Sequence, residues 1–105
     1  MMNAQQVKQI VEAEIRGEWT RTNLHHVNLR VSLLETPEMV TAIAAGSEQE
    51  VQVWLVLVEC PGDTNTYGVA YSEQDSAFGL IQFAEGYEPC LLGIYGGFWE
   101  TFDAM

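Results

Sequence analysis

No lysine or arginine occurs after Arg30, so the last 75 of 105 residues carry no fixed positive charge. The four basic residues are Lys8, Arg16, Arg21 and Arg30, set against 15 carboxylates in a chain of formal net charge −11. Nucleic-acid binding demands a basic stripe that neutralises phosphates and releases counterions. Residues 31–105 would repel that backbone, and the same field disfavours nucleotides, phosphosugars and anionic membrane surfaces. Long apolar runs are lacking as well. The longest, Val53–Val58, has six residues, whereas a bilayer-spanning helix needs about 20. The opening Met-Met-Asn-Ala-Gln-Gln has neither a basic nor an apolar stretch, so no secretory signal is expected and the default location is cytoplasmic. Cysteine is scarce: Cys60 and Cys90 form no CxxC or Cys/His metal spacing, and in a reducing compartment both stay thiols.

What is present is core material. Apolar residues make up 48% of the chain, enough for residues 1–105 to fold as a single globular domain without metal or disulfide staples. Asn3 followed by Gln6 spells a capping box, and Val7, Ile10, Val11 and Ile15 recur at helical spacing. These residues predict an amphipathic helix over residues 3–16, ended by Gly17 in a left-handed conformation. Val27, Leu29, Val31 and Leu33 alternate with polar residues and predict a half-buried strand over 27–34, with His25 on its apolar face. In the strand over 51–59, Val51, Val53, Leu55 and Leu57 face one way, and Trp54, Val56 and Val58 the other, which suits a central position. Strands follow over 67–72 and 77–83, joined by the Glu73–Ser76 hairpin loop, and over 90–95. Phe98, Trp99, Phe102 and Met105 suit a short C-terminal helix. Residues 36–46 admit a helix opened by Thr36-Pro37, but the alternation of Met39, Thr41 and Ile43 favours a strand. The expected class is α+β: an N-terminal helix, an antiparallel sheet of five or six strands in largely meander order, and a terminal helix.

Motifs that could carry chemistry are few. On a strand, His25 and His26 point to opposite faces and cannot share a metal ion. Asp63-Thr64-Asn65-Thr66-Tyr67-Gly68 imitates half of a calcium loop, but position twelve is Gln74 and no helices flank it. A turn rich in side-chain-to-backbone hydrogen bonds accounts for it better. Gly93-Ile94-Tyr95-Gly96-Gly97 lacks the lysine of a phosphate loop, and its glycines suit a sharp turn with close helix–sheet contact. An open meander places Cys60 and Cys90 at one rim but three strands apart, beyond disulfide reach unless the sheet closes into a barrel. Glu59 and Glu100 are the carboxylates in apolar company, and Trp54 is either core or a groove residue. No metal, cofactor or catalytic constellation is expected, and the chain reads as a non-enzyme.

The charge then becomes a location. Glu59, Asp63, Glu85 and Glu88 should gather at one end of the sheet, joined by Glu35 and Glu38 if residues 36–46 form a strand. Glu48, Glu50, Glu73 and Asp75 should occupy the other end. The leading expectation is an interaction module whose acidic sheet-end loops dock a basic protein partner, resembling immunity or antitoxin proteins in charge and size alone. Its alternative is a small-molecule-binding protein or enzyme with a pocket between sheet and helices for a neutral or cationic ligand. A homodimer, if formed, should use the N-terminal helix or strand 27–34, where Arg16, Arg21 and Arg30 lie and the acidic repulsion of residues 31–105 is relieved. Acidity that serves only solubility is the competing explanation of the charge.

Overall fold

Asn3 opens the first helix as the capping box predicts. Its Oδ1 accepts from the Gln6 amide at 2.9 Å, and the Gln6 side chain accepts from the Asn3 amide at 2.9 Å. In the computed structural model, which describes all 105 residues, helix α1 runs Ala4–Ile15 and buries Val7, Val11 and Ile15. The left-handed stop falls on Arg16 (φ 53°) as well as Gly17 (φ 78°).

The expected strand over 27–34 is corrected. Asn28 Oδ1 accepts from the Arg30 amide at 3.0 Å and caps a single helical turn, α2, Leu29–Ser32. Its inward residues, Leu29 and Ser32, stand at i and i+3, while Val31 is 64% exposed. Four alternating residues suit one turn of helix as well as a strand, and the cap decides between them.

Strand β1 then runs Leu33–Ala44, so residues 36–44 are extended as favoured, and Ala45 and Gly46 belong to the turn that follows. Strands β2 (Glu50–Val58), β3 (Thr66–Ser72), β4 (Ala77–Phe83) and β5 (Cys90–Gly96) follow as an antiparallel meander, and helix α3 (Phe98–Asp103) ends the α+β fold. The β1–β2 register slips between Leu33↔Leu57 and Glu38↔Leu55. Pro37 lies in that irregular stretch, where its missing N–H costs no ladder bond.

The meander does not stay open. Ile43 pairs with Cys90 and Ala44 with Leu91, in parallel, and the five strands close into a barrel. The Ile43 amide donates to Pro89 O at 2.8 Å and the Ala45 amide to Leu91 O at 2.9 Å.

Two cores result. Ala42, Val53, Leu55, Ala70, Ile81 and Leu91 fill the barrel. The larger cluster joins α1 and α3 to the outer face through Val7, Ile15, Trp54, Val56, Leu57, Phe98 and Phe102. Strict alternation along β2 is therefore corrected after Leu55. Leu55 pairs with Ala70 and Leu57 with Val69, so Val56 is a bulge residue. The bulge turns Leu57 to the helix side and Val58 to the barrel side. Trp54 is core, and its Nε1 donates to Glu73 Oε1 at 3.2 Å.

Candidate functional site

The loops after β2 and after β4 emerge together. Asp63 Oδ1 accepts from the Asn65 amide at 2.9 Å, closing a turn of the kind expected for Asp-Thr-Asn. Asn65 Oδ1 in turn accepts from the Glu85 amide at 3.2 Å, which ties the two loops across 20 residues of sequence. Between them lies a cleft of about 450 Å³ with Leu55, Val58 and Phe83 at its apolar base and Asp63 and Glu85 among its lining residues. No lysine, arginine or histidine lines it. Glu88 stands in the next depression with Tyr87, Ile43 and Cys90, and Tyr87 is 81% exposed. Asp63, Glu85 and Glu88 are all exposed.

Glu59 is placed differently. Its side chain is only 15% exposed, and its Oε2 contacts His25 Nδ1. His25 is thus not on an apolar strand face: it occupies a turn, exposed, because the segment that was to set its parity is capped into helix at Asn28. His26 follows it with a left-handed backbone, φ 57°.

The acids assigned to the opposite end also divide. Glu73 Oε1 accepts from the Met2 amide at 2.7 Å in addition to Trp54, and Asp75 accepts from Ser72 Oγ at 2.7 Å. Glu50, however, pairs with Ile43, which pairs with Cys90, which pairs with Gln82. That row runs around the sheared barrel and corrects the placement of Glu50 and the neighbouring Glu48 turn, which lie toward the Glu88 side. An open sheet predicts opposite ends; closure with stagger does not.

The remaining motifs find structural employment. Cys60 is exposed and Cys90 half-buried, both as free thiols. At the Gly93–Gly97 junction the first amides of α3 meet carboxylates of the chain itself: Phe98 N donates to Glu14 Oε1 at 3.0 Å and Gly97 N to Glu100 Oε1 at 3.3 Å. No group of three or more His, Cys, Asp or Glu side chains gathers at metal-binding distance. A separate cleft of about 390 Å³ lies between α1 and the sheet, floored by Val11, Leu33, Pro37 and Val56.

Sequence reasoning located the loops but missed Asn65, Tyr87 and the His25–Glu59 contact. Asn65 was legible as a turn residue; its reach to Glu85 depends on strand register. Neither a family model nor a curated protein nor a solved structure matches the chain.

Proposed function

We propose that the chain is a non-enzymatic interaction module that docks a basic protein partner at the cleft between the 59–65 and 84–89 loops. One observation supports this reading above the others: an apolar base of Leu55, Val58 and Phe83 beside Asp63 and Glu85, with no cation among the lining residues. A lysine or arginine presents the matching shape, an aliphatic stem that buries against hydrocarbon and a charged head that meets carboxylates. Asn65 fixes the spacing of the two acidic loops, so little ordering remains to oppose binding. Glu88 and exposed Tyr87 extend the surface at one side, tyrosine being a frequent anchor of protein interfaces. Glu59, held by His25, stands behind the docking surface and supports the loop.

Titration of the isotope-labelled chain with a lysine/arginine-rich peptide, followed by two-dimensional NMR, tests the proposal. Shifts should concentrate on Leu55, Asp63, Phe83, Glu85 and Glu88, weaken steeply with ionic strength, and vanish in an Asp63→Asn/Glu85→Gln/Glu88→Gln variant. Shifts spread along the whole chain, or binding indifferent to salt or to the triple substitution, would refute the assignment.

A further inference from the structure

Two cavities lie side by side on the helical side of the barrel and share Trp19, Leu29 and Arg30. The first is the apolar cleft between α1 and the sheet, of about 390 Å³. The second, of about 340 Å³, is built entirely from residues 19–30. Arg21, Arg30 and His26 line it together with Thr20, Thr22 and Asn28, and no carboxylate does. In a chain with 15 carboxylates and four lysines and arginines, a carboxylate-free cavity with two arginines is against expectation.

The cations around these cavities are not equally occupied. Arg21 is held by Asp103 at 3.0 Å and Glu18 at 4.0 Å, with its guanidinium 4.3 Å from the Trp99 ring. Arg30 makes no ion pair; its guanidinium lies 5.6 Å from the Trp19 ring, at the boundary of the two cavities. Lys8, at the rim of the apolar cleft, is half-buried and makes no ion pair either.

We propose that the joined cavities bind an amphiphilic monocarboxylate. Its head group meets Arg30 in the carboxylate-free cavity, with Arg21, His26 and the Thr20 hydroxyl around it. Its apolar body lies along Val11, Leu33, Pro37 and Val56. Each cavity falls within the ~300–1,000 Å³ usual for small-molecule sites. A pocket between sheet and helices was expected to take a neutral or cationic ligand, and it is the local cations that turn the preference to an anion. The net charge of the molecule attracts cations everywhere, so an anion is retained only where local donors outweigh that field. Glu12 and Glu35 line the far cleft, which disfavours a second negative charge on the tail and selects a monoanion over a dicarboxylate.

Calorimetric titration of the full chain with decanoate, decanol and decylamine, each below its aggregation concentration, decides the matter. Decanoate should bind one to one and at least about tenfold more tightly than decylamine. Arg30→Gln should weaken decanoate about tenfold or more, because a charge-assisted hydrogen bond is lost, and leave decanol within twofold. Arg16→Gln removes the same charge at a residue that lines neither cavity and should leave decanoate unaffected. Decylamine binding as tightly as decanoate, equal losses in Arg30→Gln and Arg16→Gln, or no saturable decanoate binding would each overturn the assignment.

Discussion

Gly79 shows how little room the barrel leaves for a single atom. A Cβ built there would lie 2.5 Å from Gly93 O and 2.9 Å from Ile94 Cδ1, in a position where the obstacle is backbone and cannot swing aside. Gly93, on the neighbouring strand, would present a Cβ with nothing nearer than the Tyr95 ring at 3.9 Å. The two glycines, equivalent in composition, are therefore opposite in consequence. Gly79→Ala should cost about 1–3 kcal/mol through overpacking, and Gly93→Ala should stay within about 0.5 kcal/mol of the parent chain. Urea denaturation midpoints measure both, and equal midpoints for the two variants would contradict this account of the packing. At the same scale, Asn65 is the residue on which the proposed docking cleft depends, because one side chain joins both loops. Asp63, Glu85 and Glu88 were legible from turn placement alone. The His25–Glu59 contact was not, since it follows from a turn conformation that a strand reading of residues 25–34 cannot contain.

Elements formed where local chemistry and long-range packing agree. Helix α1 is the clearest case: cap, apolar stripe and left-handed stop all lie within the segment that forms it. Replacing Asn3 with alanine should lower stability by about 1 kcal/mol, whereas Asn3→Gly should cost only a few tenths, since glycine tolerates the cap backbone. Thermal melts of the two variants check the order. Strands β2 to β5 were legible within a residue or two for a related reason: each is bounded by its own turn residues. Segment 27–34 was misread because Val27, Leu29, Val31 and Leu33 satisfy period two over too short a length to exclude a capped turn. The β2 bulge was invisible because Val56 and Leu57 are both apolar, and only the pairing of Leu55 with Ala70 and of Leu57 with Val69 reveals that Val56 and Leu57 share a face. Both errors have one origin. Hydrophobicity marks which residues are inside, and backbone register decides which inside they enter.

Across the whole molecule, the carboxylate-free cavity and the cation-free cleft share no residue. Arg21, Arg30 and His26 line the cavity of residues 19–30, and exposed carboxylates stand where the 59–65 and 84–89 loops meet. The two proposed sites therefore call for partners of opposite sign, at different faces of one small barrel. Closure itself could not be read from the sequence, because a staggered pairing between the end of one strand and the start of another leaves no local pattern. That pairing is also thin: two residue pairs and two flanking hydrogen bonds join β1 to β5, between positions 47 residues apart. Every other strand contact belongs to a hairpin of neighbours in sequence. Loop-closure entropy makes such a distant contact late to form, and a late, sparse contact is among the first to open in native fluctuations. The amides of Ile43 and Ala45 should accordingly exchange with deuterated solvent well before those of Val69 and Ile81 in the continuous ladder. If all four exchange together at the global unfolding rate, the joint is no weaker than its surroundings. If the first two lead, the barrel behaves as a clasp, fastened last in folding and undone first.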